Sequence, residues 1–462
     1  MRDGKRVVIT YGTYDLLHYG HIRLMERAKE LGDYLIVGVT SDAFDRDRGK
    51  LNVYQSLSER MNAVLATGIP DKVIVEEFQG QKIADIIKYG VDVFAIGSDW
   101  EGKFDFLKKY CEVVYLERTK GVSSTELRAD KNRSVAVGCI GADYLTGRFI
   151  SESAHVPGAD VFGAYQLDTP VHESVRAAGV SLYDSLDDML EHAEAVYISA
   201  TIDRHADLID RALDAGCHVL CESPLFLSRA DGERLFAKAR ERGLVLMEAL
   251  KTVYFPAFEH LRLLLASGVI GEVKDIAASF SQIPDFPYRE TRYQGAFYDM
   301  GAYGVLPAIA FLGSDYQDAR LICVDDDGYN VWTKAELVYG TATATLSVGR
   351  GLKTEGDMVI TGESGYVYVP APWWKPDYFE IRHEDLRDTR KFFYGYQGGG
   401  QRYETFEFMR RVRDGADAYP ARFSEDEVLA TTDLVERFDA GDVVRLGHGK
   451  YAFGGGERVT DR

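Results

Sequence analysis

Gly12-Thr13-Tyr14-Asp15-Leu16-Leu17-His18-Tyr19-Gly20-His21 follows a short apolar run, Val7-Val8-Ile9. It leads into a segment of helical period, with Leu24, Met25, Ala28 and Leu31, that Gly32 is expected to close. A strand that turns into a helix opens a crevice at its carboxyl end. The helix start offers that crevice unpaired N–H groups and about half a positive charge, which suits an anion. Two imidazoles three residues apart can both donate there to phosphate oxygens or to a departing pyrophosphate, and Gly20 lets the backbone approach closely. A lone histidine would read as a helix cap or a buried polar contact. His-x-Gly-His behind a Gly-Thr-Tyr-Asp turn reads as a phosphate-handling site.

Outward from this stretch the pattern repeats. Apolar runs at Leu35-Ile36-Val37, Val73-Ile74-Val75, Val93-Phe94-Ala95-Ile96 and Val113-Val114-Tyr115-Leu116 alternate with helical segments, which predicts a parallel sheet covered on both faces. The polar stretch Arg128 to Arg133 reads as a linker. A second α/β unit of Rossmann-like order then begins, with strands at 135–140, 161–165, 196–198, 218–221 and 244–247. Beyond Pro256 the chain reads as α+β: Thr341 to Val348 and Gly365 to Val369 alternate as strands of a largely antiparallel sheet do. The expected division is a nucleotide-handling domain over 1–130, a dinucleotide-type domain over 134–255, an α+β substrate or oligomerisation domain over 256–440, and a tail over 441–462.

A second chemistry-bearing element lies just past the fifth strand, at Arg118-Thr119-Lys120-Gly121-Val122-Ser123-Ser124-Thr125. Arg, Lys, hydroxyls and a glycine at a helix start supply donors for a triphosphate, while Ser123 and Glu126 also have capping-box spacing. Arg48 and Lys50 lie on a segment too polar for a core, and Lys82 opens a helix.

With these residues in view, 5–128 resembles the glycerol-3-phosphate cytidylyltransferases, nucleotidyltransferases with the His-x-Gly-His signature. The stretches that carry this are GTYDLLHYGHIRLMERAKELGDYLIVGVTSD, GSDWEGKFDFL and YLERTKGVSSTELR. The resemblance implies that Thr13, Tyr14, His18, Gly20, His21, Lys50 and Arg118, Thr119, Gly121, Ser123, Ser124 and Thr125 contact CTP. It gives catalytic roles to His18, His21, Lys50 and Arg118. Arg48, Lys82, Asp99 and Trp100 fall to the polyol phosphate, with Arg48 standing where the family has Lys. Mg²⁺ accompanies CTP, and the acceptor is a small polyol phosphate such as glycerol phosphate, activated for a surface polymer. A non-catalytic nucleotide-binding scaffold is the alternative of another class.

Residues 134–438 resemble the Gfo/Idh/MocA family of NAD(P)-dependent oxidoreductases, through ALDAGCHVLCESPL, GLVLMEALKTVYFPAF, GAFYDMGAYGVLPAIAFLG and GQRYETFEFMRRVRDG. The family's Gly-x-Gly-x-x-Gly/Ala reads Gly141-Ala142-Asp143-Tyr144-Leu145-Thr146. A carboxylate ~4 Å from a phosphate charge costs about 4 kcal/mol at an effective dielectric of ~20. Only Asp168 remains near the position that grips the adenosine ribose, and Glu-Lys-Pro has become Glu222-Ser223-Pro224. Asp299 and Tyr303 keep the family's substrate-side Asp-x-Gly-x-Tyr, and Lys251 is a candidate substitute for the missing lysine. Two readings stay open. Either this half reduces a keto-sugar phosphate with NAD(P)H and feeds the first domain, or it is a binding and oligomerisation module without hydride transfer.

Composition narrows the classes. The 462 residues carry 54 Lys+Arg against 73 Asp+Glu, a net charge of −19, which repels a polyphosphate backbone and argues against nucleic acid as a partner. No apolar run approaches the ~20 residues of a membrane span. Five scattered cysteines make no disulfide framework, so a reducing cytoplasm is expected. Cys217 and Cys221 read as core residues of a buried strand rather than metal ligands. Trp373-Trp374 reads equally as a sugar or oligomer contact and as a capped sheet edge. In the oxidoreductase family that 134–438 resembles, the open sheet face of the third domain commonly forms a dimer, so the resemblance implies a homo-oligomer.

Overall fold

The computed structural model describes residues 4–47, 53, 55–78, 80–117, 133–167, 170–283, 291–396, 398–418 and 420–446. Arg48, Lys50, the run Arg118 to Thr125, and Asp168 lie outside the described residues.

The first sheet contains β1 (Val7–Gly12), β2 (Tyr34–Thr40), β3 (Lys72–Glu76), β4 (Val93–Gly97) and β5 (Glu112–Leu116) in the order β3-β2-β1-β4-β5. Every pairing is parallel. Alternate residues of β1 serve opposite cores. Val8 packs with Met25, Leu35 and Val64, while Val7, Ile9 and Tyr11 pack with Ile36, Ile86 and Phe94 on the other face. Both faces are buried, which is why the strands read as continuous apolar runs. The chain builds to one side of β1 and then crosses to β4 on the other. The carboxyl ends of β1 and β4 therefore frame the crevice where an α/β sheet takes its ligand.

The helix after β1 spans Tyr19–Lys29 and ends at Glu30, so Gly32 is not its cap. A Cβ on Gly32 would stand 2.6 Å from the Arg6 carbonyl oxygen: the glycine is there for close backbone passage.

A second parallel sheet follows, with β6 (Val135–Ile140), β7 (Ala159–Tyr165), β8 (Ser181–Tyr183), β9 (Ala195–Ile198), β10 (His218–Glu222) and β11 (Leu246–Ala249) ordered β11-β10-β9-β6-β7-β8. The last strand starts two residues later than the apolar run suggested, and Lys251 sits in the 3₁₀ turn Lys251–Tyr254 just beyond it. Cys217 and Cys221 are fully buried in the core of this domain.

The third domain holds a nine-stranded sheet. Its strands are β12 (Val273–Gln282), β13 (Asp318–Asp326), β14 (Tyr329–Val338), β15 (Thr343–Arg350), β16 (Met358–Gly362), β17 (Gly365–Val369), β18 (Tyr378–His383), β19 (Arg390–Phe393) and β20 (Val444–Leu446). The pairings are antiparallel apart from β12 with β15 and β13 with β20. The alternation in β15 marks one covered face but could not show that one neighbour runs parallel. Trp373 is fully buried with its indole N–H on the Ser279 carbonyl, 2.8 Å away, so it is a core residue.

The first and third domains meet through helix Leu57–Ala66, which packs on helix Pro256–Ala266. The Ser58 amide donates to Glu259 at 3.0 Å. Arg410, from helix Gln401–Asp414, is buried between Glu59 and Glu407, and Arg422 lies 3.5 Å from Glu259 and 3.8 Å from Glu59. Removing one member of such a buried set costs about 3–5 kcal/mol, because a charge is left without a counterpart.

Glu77 and His260 meet across the same interface at 3.1 Å, with the Tyr394 hydroxyl also on His260. Burial pushes the Glu77 carboxyl up to about 8 and the His260 imidazole down to about 4. Between pH 4.5, where an ordinary glutamate ionises, and about 8, the unfolded chain has released a proton that the folded chain keeps. Stability from this group therefore falls as pH rises through that window. The His260 contribution falls in the opposite direction, as pH drops from 6.5 toward 4. From pH 6.5 to 8 the melting midpoint of the parent should fall, and Glu77→Gln should flatten the slope. Equal slopes in thermal melts of the two proteins would refute this assignment.

Candidate active site

The loop between β1 and its helix is held in strained geometry. Tyr14 and Leu16 adopt φ values of 55° and 49°, in the left-handed region that side chains seldom occupy. Burial of the Tyr14 ring, 1% exposed, and its edge contact with His21, ring centroids 5.4 Å apart, help to hold that conformation. His18 is the N-cap: its Nδ1 accepts the Gly20 amide at 3.1 Å. With Nδ1 accepting, the neutral imidazole carries its proton on Nε2, which makes that nitrogen a donor. His18 and His21 stack with centroids 3.9 Å apart. A Cβ on Gly20 would stand 3.0 Å from the His18 ring, so the glycine first of all makes room for the cap.

The residue that organises this loop is one the sequence did not single out. Arg60 is fully buried and donates to the carbonyls of Thr13 at 2.7 Å, Thr40 at 2.8 Å and Gln55 at 3.0 Å, and it pairs with Asp42. Thr13 donates its hydroxyl to Asp45 at 3.0 Å. Asp15 accepts the Gln55 amide at 2.9 Å, and the Gln55 side chain accepts the Leu16 amide at 2.6 Å. Two strand ends and the loop that enters helix Leu57–Ala66 are thus tied to one guanidinium. The Ser56–Glu59 capping box foretells the helix but not that its next residue points inward.

Lys82 pairs with Glu76, and its Nζ lies 4.5 Å from the Tyr11 ring centroid and 5.5 Å from that of Phe104. Trp100, in the short turn Ser98–Trp100 that also carries Asp99, has its ring centroid 5.8 Å from that of Phe104. Thr40 Oγ1 lies 3.2 Å from both Glu76 and the Gly12 carbonyl, linking this patch to the histidine loop. The structure therefore brings Thr13, Tyr14, His18, Gly20, His21, Lys82, Asp99 and Trp100 to the carboxyl edge of one sheet.

In the second domain the turn fits a dinucleotide. Gly141 has φ 111°, and a Cβ there would stand 2.2 Å from the Ser199 carbonyl oxygen. The turn opens helix Tyr144–Ser153 beside the point where the strand order reverses. Asp143 caps that helix. It accepts from the Thr146 amide at 2.9 Å and hydroxyl at 3.1 Å, and from the Ser199 hydroxyl at 2.8 Å. Both carboxylate oxygens are thus engaged by the chain itself, and one helix-end amide is withdrawn from any phosphate.

At the carboxyl end of β10, Glu222 accepts the Tyr197 hydroxyl, and burial pushes its carboxyl up. The Pro224 carbonyl accepts from buried His205 at 3.1 Å. Asp299 and Tyr303 lie one turn apart on helix Ala296–Leu312. Asp299 is held by Arg350 at 2.8 Å, with burial raising its pKa against that cation, and Lys251 Nζ is 5.7 Å from the Tyr303 ring centroid.

The geometry defines a nucleotidyltransferase edge on one sheet and a dinucleotide-type oxidoreductase cleft on another. The comparisons agree. Residues 9–130 match the family described as cytidylyltransferase-like, and 135–250 match the oxidoreductase family with an NAD-binding Rossmann fold. The glycerol-3-phosphate cytidylyltransferase of Bacillus subtilis (strain 168) is 52% identical over 123 residues, 27% of this chain and 95% of that protein. A dTDP-3,4-didehydro-2,6-dideoxy-alpha-D-glucose 3-reductase of Actinomadura kijaniata is 46% identical over 266 residues, 56% of this chain and 77% of that protein. A solved 3-ketoreductase from Actinomadura kijaniata, in complex with NADP and TDP-benzene, superposes with TM-score 0.59 and 28% identity over 68% of this chain and 99% of its own. The chain belongs to the cytidylyltransferase-like family through its first domain and to the Gfo/Idh/MocA oxidoreductase family through the other two.

Arg60→Lys keeps the charge but not the fork that spans three carbonyls. Each lost charged hydrogen bond is worth about 1.5–3 kcal/mol, so pyrophosphate release from CTP should fall at least ~10-fold with helix content unchanged by circular dichroism. Asp143→Asn keeps a good helix cap and removes the charge. NADPH should then bind about tenfold tighter in a fluorescence titration, an effect of roughly 1.4 kcal/mol.

Proposed function

We propose that the first domain transfers the cytidylyl group of CTP to a polyol phosphate, with glycerol phosphate the leading acceptor. A phosphate oxygen of the acceptor attacks the α-phosphorus in line, the bond to the bridging oxygen breaks, and pyrophosphate leaves with CDP-polyol as the other product. Charge builds on the equatorial and leaving oxygens, so catalysis is positioning plus electrostatic stabilisation. His18 directs its Nε2–H, and His21 its ring, to those oxygens. Lys50, Arg118 and the Thr119, Gly121, Ser123, Ser124 and Thr125 donors take the triphosphate, which enters as its Mg²⁺ complex. Lys82, Trp100, Asp99 and Arg48 take the acceptor. The observation that carries this reading is the stacked His18–His21 pair on the helix mouth, joined through Thr40 to the Lys82 patch. The product suits a surface polymer of the teichoic-acid or capsule type, made in the cytoplasm. Among the described residues no helix is long and apolar enough to cross a membrane.

For the other two domains we propose reduction of a ketone on a sugar-like substrate with NAD(P)H. The ketoreductase relatives act, by their names, on dTDP-linked sugars. This favours a nucleotide-linked substrate, so reduction would follow cytidylyl transfer rather than supply its acceptor. The nicotinamide would supply the hydride, and Gly141, the helix Tyr144–Ser153 and Glu222 would hold the cofactor. Asp299 and Tyr303 would face the substrate. The open face of the nine-stranded sheet would seat a second copy of the chain.

His18→Ala should lower pyrophosphate release from CTP and glycerol phosphate at least ~10²-fold, the scale for losing one such donor. A parental rate would refute the histidine assignment. Mass analysis of products from a panel of polyol phosphates identifies the acceptor.

A further inference from the structure

The oxidoreductase half lacks a lysine after Glu222, yet an ammonium stands close by. Strands β10 and β11 run parallel with Glu222 opposite Ala249, so Ser223 lies at the level of Leu250 and Lys251 follows one residue on. Neighbouring strands are about 4.8 Å apart, within the reach of a lysine side chain. Lys251 Nζ comes within 5.7 Å of the Tyr303 ring centroid, and the Lys251 backbone amide lies against the Tyr303 hydroxyl. Burial raises the Tyr303 hydroxyl well above its ordinary value, and Glu404, Glu222 and Glu248 push it further. The groups facing this point come from several elements: Glu222 at the end of β10, Glu404 on helix Gln401–Asp414, Arg148 on helix Tyr144–Ser153, and Lys375. Burial lowers the Lys375 amine, and Lys251 and Arg148 lower it further, so three cations crowd one mouth of a chain whose net charge is −19.

We propose that Lys251 is the positioning residue of the reductase site, supplying from the end of β11 the ammonium absent after Glu222 and steadying the Tyr303 oxygen as it gives up its proton. This rests on the ketone-reductase reading. Reduction adds a hydride at the carbonyl carbon and a proton at its oxygen. The cofactor supplies the hydride; the Tyr303 O–H bond breaks, the substrate O–H bond forms, and the phenolate is held by the Lys251 ammonium and amide until water reprotonates it. Burial and three nearby carboxyls disfavour that phenolate, and the Lys251 ammonium, 5.7 Å from the ring centroid, would offset them.

The experiment uses the full chain, NADPH and a dTDP-linked and a CDP-linked ketosugar. Lys251→Met should cut NADPH oxidation at least ~10²-fold, the usual scale for general acid catalysis. NADPH binding by fluorescence should stay within about twofold, and the limb of the kcat/KM pH profile that reports Tyr303 should move to higher pH. Adding Ser223→Lys to Lys251→Ala should restore at least ~10-fold of the lost rate, because the ammonium returns to the neighbouring strand end. A parental rate and pH profile in Lys251→Met overturns the Lys251 assignment and leaves the reductase reading standing. Loss of NADPH binding along with turnover also overturns it, since the lysine would then serve the cofactor. Neither NADPH binding nor turnover by the unaltered chain overturns the reductase reading and this assignment together.

Discussion

One buried guanidinium, that of Arg60, determines where the histidine loop can be. It gathers the carbonyls of Thr13, Thr40 and Gln55, each at the exit of a different segment, and pairs with Asp42. Without it those acceptors would be buried unpaired or the loop would open to water, and Tyr14 and Leu16 could relax from their positive φ values. The preceding residue, Glu59, faces the other way and meets Arg410 of the third domain. Two successive side chains of one helix thus fasten the loop on one side and the domain interface on the other.

That interface is unusual in its chemistry. Glu59, Glu259 and Glu407 alternate with Arg410, Arg411 and Arg422 in a setting from which water is largely excluded. Such sets contribute little net stability compared with apolar packing, but they are demanding about geometry. Helix Gln401–Asp414 brings Glu404 toward the oxidoreductase cleft and Glu407 and Arg410 toward the first domain.

The two halves manage charge in different ways. In the first domain, cations are tied to carboxylates at the sheet edge: Lys82 to Glu76, Arg60 to Asp42. In the oxidoreductase cleft, carboxyls are buried together, and burial together with the Glu222 charge holds Glu404 far above the usual carboxylate range. Asp143 caps a helix at the point where its relatives' fingerprint has glycine, and its oxygens are absorbed by Thr146 and Ser199. The carboxylate that looked prohibitive for a phosphate is thus turned to donors of its own chain.

The three-part architecture and the histidine loop were legible in the sequence because both rest on local order: apolar runs of strand length, helical period, and a signature confined to ten residues. Lys82 and Trp100 were singled out for the acceptor only through resemblance, and Arg60, Asp45 and Gln55 were not legible at all. Nothing local distinguishes an arginine that faces solvent from one that faces a loop 47 residues away. Gly32 and Trp373 were misread or left open for the same reason, since close passage of Arg6 and the Ser279 carbonyl are contacts between distant segments. The sequence by itself determined which elements form and pointed to the histidine loop as the candidate phosphate site, as hydrogen-bonding and apolar periodicity act between near neighbours. Only the tertiary structure decided which charges meet, because burial and pairing of ionic groups depend on what the rest of the chain packs against them.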